Sequence, residues 1–384
     1  MLDVGCWMFR SYLAQFPGAP STGTQQRTAL RSGMFITGLG TAVPSQCYAQ
    51  GECWETLLRS TRYHQLQPRS RAILKKVLNG SSGIATRHLA LEHLGQAFEL
   101  TPDVMQARFA KHAPQLATQA AERALANAGS RPEEIDALVI STCTGYLCPG
   151  LTSYVSEQLG CRPDVLTLDL VGQGCVAALP NLCTCDALLT AGRCQRVLSI
   201  CVEVCSAALY FDDDPGVLIS ACLFGDGAGA AVLANSPDHK RPVKCKTSGS
   251  LLQPQDRDLL RFEHKNGMLR NILTPQVPAV AARHAATVLD QVLARAGVRR
   301  SQVTGWVMHP GGRDVLQAMS EQLGLSEHDL RWSAAVLREF GNLSSASVYF
   351  VLQAALGDSA PSGYWWLSSF GAGFSCHGAL LEVE

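Results

Sequence analysis

The sequence has 384 residues, of which 47% are apolar and 17% charged, so it can build a large core and exceeds the usual size of a single domain. Its 32 basic and 32 acidic residues give a formal net charge of zero, and its longest apolar runs are strand-sized. A nucleic-acid-binding protein, which needs a basic surface, and a transmembrane protein, which needs longer apolar runs, are therefore both disfavoured.

Residues 1–33 are rich in Ser, Thr, Gly, Pro and Gln and predict a loosely ordered N-terminal extension without the basic start of a secretory signal. The chain contains 15 cysteines, most of them inside apolar patterns, where a thiol behaves as a small hydrophobic group. We therefore expect a cytoplasmic protein with free thiols. Cys183 and Cys185 are close together, but no second cluster at ligand spacing accompanies them, so we expect no metal site.

From Met34 onward, strand and helix patterns alternate to the end of the chain, as in α/β proteins. In the first part, a predicted helix closed by Gly129 precedes a buried strand that ends at Ser141. In the second part, a helix closed by Gly297 precedes a strand that ends at His309. The two glycines are 168 positions apart, and so are the two strand ends, and this constant spacing indicates an internal duplication.

The duplication predicts two related halves, residues 34–245 and 246–384. Helical patterns begin at Cys175 in the first half and at Asn342 in the second, 167 positions apart. If the halves pack about a pseudo-twofold axis, these helix starts and the strand end at His309 meet at the centre. The predicted fold is α/β, with two βαβαβ-type halves stacked as alternating layers of helices and sheets (αβαβα).

Cys175 lies in VGQGCVAA, between a predicted strand and a helix. A cysteine at a helix start faces free backbone N–H groups and the helix dipole, which lower the pKa of a thiol. Gly172 and Gly174 permit a tight turn and the close approach of a ligand. These features indicate a nucleophile rather than one more buried cysteine.

His309 is followed by Pro310, which ends the strand, and by two glycines that leave room beside the imidazole. A single histidine is more often a core residue, and Asn342 alone is typical of a helix N-cap. A Cys, His and Asn set also occurs in papain-like proteases at similar spacing. Cys175, however, lies in mid-chain and lacks the CGSCW-type surroundings of those proteases.

Five motifs, GQGCVAA, LFGDGAGA, HPGG, FGNLSSAS and SFGAGFS, together resemble the chalcone and stilbene synthases, the type III polyketide synthases of the thiolase superfamily. They occur in that family's order and cover roughly residues 34–384. The resemblance implies a thiolase-like fold and a transferase that condenses malonyl-CoA onto an acyl-CoA starter without a metal or redox cofactor. It also implies that Cys175 is the nucleophile and that His309 and Asn342 are its catalytic partners.

The resemblance assigns substrate contacts as well. Phe224 matches the gatekeeper between a pantetheine tunnel and a cavity, and Cys148 matches a residue that reaches into the partner's cavity in a homodimer. Lys75 and Lys76 lie where basic residues bind the phosphates of CoA, although they also fit a solvated basic surface. The remaining substrate-site positions, which line the cavity, govern cyclisation or leave room beside His309, are Thr144, Glu203, Cys205, Ala208 and Gly311.

Cys205 and Ala208 replace threonines that are typical of the plant enzymes, and a second gatekeeper phenylalanine has no counterpart near residues 267–271. We therefore expect a bacterial-type branch with a wider cavity and medium- or long-chain fatty acyl starters, unless Tyr210 or Phe262 refills the space. The products expected are pyrones or resorcinol-type rings. The alternative within the superfamily is a single-condensation enzyme similar to ketoacyl-ACP synthase III, which uses the same three residue types.

Overall fold

The structure, a computed structural model, describes residues 33–237, 241–358 and 360–384, so residues 1–32 of the predicted extension lie outside it. The strands of these ranges are β1 (Phe35–Ala42), β2 (Cys47–Ala49), β3 (Thr86–His88), β4 (Ala137–Thr142), β5 (Leu166–Val171), β6 (Arg196–Glu203), β7 (Gly227–Ala234), β8 (Val243–Leu252), β9 (Leu260–Lys265), β10 (Met268–Leu273), β11 (Val303–Met308), β12 (Gly363–Gly371) and β13 (Ser375–Val383). The helices are α1 (Gln50–Arg59), α2 (Thr61–Gln65), α3 (Pro68–Lys76), α4 (Pro102–Ala128), α5 (Leu151–Leu159), α6 (Ala178–Thr190), α7 (Pro215–Leu223), α8 (Val277–Ala296), α9 (Arg313–Leu323), α10 (Arg331–Phe340) and α11 (Ser347–Gly357). Not one of these helices has both the length and the apolar character that a bilayer crossing requires.

Nine strands form one continuous sheet in the order β11–β12–β13–β8–β1–β7–β6–β4–β5. Strands β2 and β3 form a separate pair, and so do β9 and β10. The shortest strand pairing in the large sheet is that of β1 with β8, which are joined through two residue pairs, Phe35 with Lys244 and Ile36 with Val243. This junction divides the sheet into two parts, one from each half of the chain.

The two parts repeat the same strand pairing, which confirms the predicted duplication. In the first part β4 is parallel to β6, β6 is antiparallel to β7, and β7 is antiparallel to β1. In the second part β11, β12, β13 and β8 pair in the same succession. The helices α4 and α8, which precede β4 and β11, both end at a glycine in the left-handed conformation, Gly129 (φ 60°) and Gly297 (φ 66°).

The predicted layers of helices and sheets are also present. The helices α6 and α11 lie between the two parts of the sheet, where Leu179 and Val351 share one apolar cluster with Val197 of β6 and Trp365 of β12. The helices α4 and α5 pack against the first part in a second cluster, and α8 and α9 pack against the second part in a third. The starts of α6 and α11 therefore lie at the centre of the molecule.

The domain division predicted after residue 245 falls inside β8, which pairs with β1 at its first residues and with β13 along its length. A division at the start of β8 would keep this strand whole. The boundaries of the two halves stay a prediction.

Candidate active site

The turn that carries Cys175 connects β5 to α6. After β5 ends at Val171, the chain turns through Gly172 (φ 83°) and Gly174 (φ 61°), a conformation that favours glycine. A Cβ on Gly174 would also lie 3.1 Å from the backbone nitrogen of Ala372, and one on Gly371 would lie 3.0 Å from the nitrogen of Cys175. The end of β12, from the second half, thus packs directly against the turn in the first half.

The thiol of Cys175 is half-buried and accepts a hydrogen bond from the hydroxyl of Ser344, with 3.4 Å between Oγ and Sγ. Burial raises the pKa of this thiol to about 12, because a thiolate loses its hydration there. A backbone hydrogen bond at the helix start does lower this pKa, as expected, but burial outweighs it. At neutral pH this burial favours the protonated thiol.

His309 follows the last residue of β11 and is held by its backbone N–H, which donates to the carbonyl of Ser368 at 2.9 Å. Its ring contacts Phe370 edge-on, with 5.3 Å between the ring centres. Both ring nitrogens are buried, and neither has a hydrogen-bond partner in the described part of the chain. Burial lowers the pKa of His309 to about 3, so the imidazole is neutral and its nitrogens are available to a ligand.

Asn342 precedes the one-turn helix that leads into α11. Its side-chain NH2 group donates to the carbonyl of Gly311 at 3.1 Å, and its side-chain oxygen accepts from the backbone N–H of Ser344 at 2.8 Å. These two bonds fix the orientation of the amide. Because an amide NH2 group has two donors, one N–H of Asn342 remains available to a ligand.

The three predicted catalytic residues line one cavity of about 440 Å³. Two predicted substrate contacts, Phe224 and Gly311, line the same space. The small size of Gly311 has a local reason, because a Cβ at this position would lie 2.7 Å from Cζ of Phe370. The structure therefore brings together, at one central cavity, the residues that the sequence placed in separate halves.

A second, smaller cavity lies on the other side of Phe224 and shares Cys175 and Phe224 with the first. It contains three more of the predicted substrate contacts, Thr144, Cys205 and Ala208. Its volume is only about 30 Å³, and Tyr210 and Phe262 also line it. This cavity by itself is not the wide space that Cys205 and Ala208 led us to expect, because Tyr210 and Phe262 help to fill it, but a larger cavity of about 630 Å³ shares Thr144, Gly174 and Phe262 with it.

Glu203 is fully buried beneath the cavity wall and does not line either cavity beside Cys175. Its carboxyl group accepts from the backbone N–H of Cys143 at 3.0 Å and from the hydroxyl of Thr144 at 2.9 Å. Burial raises the pKa of Glu203. Its contact with the site is indirect, since Ser344 Oγ lies 3.3 Å from Glu203 and 3.4 Å from Cys175.

The positions expected to contact CoA and a partner subunit lie at the surface. Lys75 and Lys76 are exposed at the end of α3, and Lys76 lines the 440 Å³ cavity whereas Lys75 does not. Cys148 is exposed on the loop after β4 and lies outside both cavities beside Cys175.

Two residues of the site, Cys143 and Ser344, were missed by the sequence argument. The hydroxyl of Ser344 lies 3.4 Å from the sulfur atoms of both Cys143 and Cys175. Cys143 directly follows the end of β4, just as His309 directly follows the end of β11. The offset of 168 positions pairs His309 with Ser141, so the internal duplication did not indicate Cys143, whereas the motif FGNLSSAS already contained Ser344.

Comparisons with known proteins identify a family over most of the chain. The N-terminal domain model of the chalcone and stilbene synthases matches residues 22–237, and the C-terminal domain model matches residues 251–381. A 1,3,6,8-tetrahydroxynaphthalene synthase of Streptomyces peucetius subsp. caesius is 32% identical, over 95% of this chain and 97% of that protein. A 3,5-dihydroxyphenylacetyl-CoA synthase of Streptomyces toyocaensis is 31% identical, over 90% of this chain and 89% of that protein.

The fold agrees as well. The crystal structure of PKS-I from the brown alga Ectocarpus siliculosus superposes with a TM-score of 0.83 at 28% identity, over 91% of this chain and 98% of that one. These matches confirm the thiolase-like fold and the family predicted from the motifs. The chain belongs to the chalcone and stilbene synthases and is a type III polyketide synthase, an acyltransferase that condenses malonyl-CoA with an acyl thioester.

Proposed function

We propose that Cys175 takes up the starter acyl group as a thioester and that His309 and Asn342 stabilise the enolate that extends it. The observation that carries this proposal is the convergence of the three side chains on one cavity, where both nitrogens of the buried His309 lack a partner among the residues that the structure describes. A buried polar group without a partner is unfavourable unless a ligand completes it.

In the loading step, Cys175 Sγ attacks the carbonyl carbon of the acyl-CoA, a new carbon–sulfur bond forms, and the CoA sulfur leaves. Burial keeps the thiol protonated and the imidazole neutral. The thiol proton must therefore leave while the bond forms, and a free nitrogen of His309 accepts it and passes it to the departing CoA.

In the extension step, malonyl-CoA loses carbon dioxide and the electron pair of the broken bond forms an enolate. N–H groups of His309 and Asn342 donate to the enolate oxygen, and each such donor is typically worth about 3 kcal/mol. The enolate carbon then attacks the thioester carbonyl on Cys175, whose sulfur leaves and takes up a proton. The extended chain is now a CoA thioester, and the loading step returns it to Cys175 before the next extension. Since decarboxylation drives the new carbon–carbon bond, we propose that the reaction needs no metal or redox cofactor.

The starter is proposed to be a short acyl or malonyl thioester, and repeated extension then ends in ring closure to a pyrone or resorcinol-type product. The support for a short starter is that the second cavity leaves only about 30 Å³ directly beside Cys175, where Tyr210 and Phe262 line the wall, while the adjoining cavity of about 630 Å³ is left for the extended chain. Apolar pockets select mainly by fit, at about 1–3 kcal/mol for each methylene group. Relative kcat/KM values for acetyl, hexanoyl and lauroyl thioesters should fall with chain length, and a rise would refute the short starter.

The CoA phosphates are proposed to bind near the mouth of the 440 Å³ cavity. Lys76 and Arg313 line this cavity and are both exposed, and Lys75 is adjacent in sequence. Exposed cations attract phosphate groups, and salt screens this attraction. Lys76→Ala should therefore raise the KM for malonyl-CoA more at low salt than at high salt, and an unchanged KM would contradict the assignment.

A homodimer is proposed from the exposed apolar surface of the first half. Strand β5 is an edge of the large sheet, and its Val171 is 57% exposed. Tyr146, which is 67% exposed, lies on the loop that also carries Cys148. Unpaired sheet edges with apolar side chains favour pairing with a second chain. Light scattering should give twice the chain mass, and Val171→Asp should shift the protein toward the monomer; a wild-type monomer at micromolar concentration would contradict the proposal.

A reducing compartment, the cytoplasm, is proposed because the enzyme needs Cys175 as a free thiol. All cysteines that the structure describes are free. Cell fractionation with an antibody to the enzyme tests this location.

The nucleophile is tested by replacing Cys175 with alanine and following acyl loading by intact-protein mass spectrometry. The matched control is Cys183→Ala, which removes an exposed thiol of α6. We expect the acyl adduct to disappear in Cys175→Ala and to persist in the control. An adduct of normal yield in Cys175→Ala would refute the proposed role.

A further inference from the structure

The β9–β10 hairpin forms a wall of the site and carries an arginine with an unusual environment. Arg261, on β9, lines the 30 Å³ cavity together with Cys175. It also lines an adjoining cavity of about 630 Å³, which includes Thr144 and Gly174. Arg261 is thus part of the wall of the space into which a chain attached to Cys175 would extend.

Two nitrogens of the Arg261 guanidinium group are paired with carboxylates, and the third, Nη1, is not. Its Nε lies 3.3 Å from a carboxylate oxygen of Asp258, and its Nη2 lies 3.3 Å from one of Glu263. Its Nη1 is buried and has no hydrogen-bond partner among the residues that the structure describes. Burying an N–H group without an acceptor is unfavourable, so a ligand that supplies an acceptor to Nη1 would be stabilised here.

The chemistry around Arg261 limits what that acceptor can be. Asp258 and Glu263 already balance the positive charge, so a free anion such as phosphate gains little here. The neighbouring wall is apolar, with Leu260 and Phe262 on either side in sequence. A carbonyl or enol oxygen within an otherwise apolar chain fits these surroundings, because it accepts a hydrogen bond without adding a full charge.

We propose that Arg261 is a specificity-determining residue, whose Nη1 donates to a carbonyl oxygen of the poly-β-keto chain growing on Cys175. The proposal rests on the repeated extension proposed above. A poly-β-keto chain presents a carbonyl at every second carbon, so Arg261 can bind only chains that are long enough to reach it. Binding holds such a chain in the cavity for another extension, and chains that are not held leave early by lactonisation or hydrolysis.

The test compares product lengths from Arg261→Met, which keeps the side-chain length but removes every donor. With malonyl-CoA as extender, mass spectrometry should show the ratio of full-length to early-released products lowered about tenfold, the usual effect of one hydrogen bond to a charged group. Loading of Cys175, followed by intact-protein mass, should stay within about twofold of wild type. Arg261→Lys, which keeps a charged donor, should give an intermediate ratio.

Two controls separate substrate binding from a structural role. Asp258→Asn removes the carboxylate that pairs with Nε but leaves Nη1 in place, and Arg257→Met changes an exposed arginine of the same segment. Both should keep the wild-type product ratio. An equal shift of the product ratio in Asp258→Asn and Arg261→Met would overturn the proposal, because it would show that the ion pair with Asp258 matters rather than Nη1.

The remaining outcomes are equally decisive. If wild type loads and extends normally and Arg261→Met gives unchanged products, the role of Arg261 is refuted while the proposed function stands. If wild type itself does not load Cys175, the proposed function is refuted and this inference falls with it. If Arg261→Met does not fold, Arg261→Lys decides: an unchanged product ratio overturns the proposal, and a shift of at least about threefold supports it.

Discussion

Replacing Asn342 by alanine should separate starter loading from chain extension. The proposed mechanism uses Asn342 only when the enolate forms, whereas attack on the starter uses Cys175 and His309. The variant should therefore load the starter at nearly the wild-type rate but fail to decarboxylate malonyl-CoA efficiently. Loss of one preorganised donor typically lowers the rate by about 10²–10³-fold, or about 2.7–4 kcal/mol.

The structure also predicts a stability change in this variant. Alanine would remove the acceptor for the backbone N–H of Ser344 and the donor to the carbonyl of Gly311. Each buried group left without a partner costs about 1–3 kcal/mol. Activity must therefore be measured well below the unfolding temperature of the variant, so that partial unfolding does not imitate a catalytic defect.

The assay follows carbon dioxide release from malonyl-CoA and, separately, the mass of the acylated enzyme. Asn271→Ala is the matched control, since Asn271 is another buried asparagine and lines the cavity on the far side of Phe224. The control should decarboxylate within about threefold of wild type if only Asn342 is a donor. Wild-type decarboxylation by Asn342→Ala would refute the assignment, and so would a loading defect as large as the extension defect.

Three further predictions concern the buried groups of the site. Burial lowers the pKa of His309 to about 3, so between about pH 6.5 and pH 3 the unfolded chain binds a proton that the folded chain does not. The free energy of unfolding should therefore fall as the pH drops through this range, and urea titrations should show a shallower fall in His309→Gln. Burial raises the pKa of Cys175 to about 12, so the rate at which iodoacetamide alkylates Cys175 should rise about tenfold per pH unit from pH 7 to 10. A plateau near pH 8 would contradict a protonated thiol. In Gly311→Ala, the new Cβ would lie 2.7 Å from Cζ of Phe370, so we expect a loss of about 1–3 kcal/mol in stability and slower extension; an unchanged Tm and turnover number would show that the ring of Phe370 moves freely.

The duplication and the convergence of Cys175, His309 and Asn342 could be predicted because they depend on local signals. Glycine at a helix end and cysteine after a glycine turn are visible in the sequence, and the repeated spacing relates the two halves. The size of the cavity could not be predicted in this way. Small residues at Cys205 and Ala208 indicated space, but Phe262 reaches the same cavity from a hairpin far along the chain.

The electrostatic state of the site was also beyond the sequence. A helix start lowers the pKa of a thiol, but burial raises it, and the extent of burial depends on which distant segments cover the turn. Here the end of β12 lies against the turn that carries Cys175, and burial prevails. For the same reason Glu203, assigned to the cavity wall by the family resemblance, lies beneath the wall in contact with Cys143 and Thr144.

Cys175 and Asn342 lie close to the starts of the central helices α6 and α11 of their own halves, and this arrangement bears on how such an enzyme can arise. Before the two halves diverged, both helix starts would have carried the same residues. A symmetric pair of this kind supplies either two nucleophiles or two amide donors, but not one of each. Joining the copies in a single gene lets the two positions mutate independently. Gene fusion, rather than a new fold, then permits one active site in which one helix start carries a thiol and the other an amide donor.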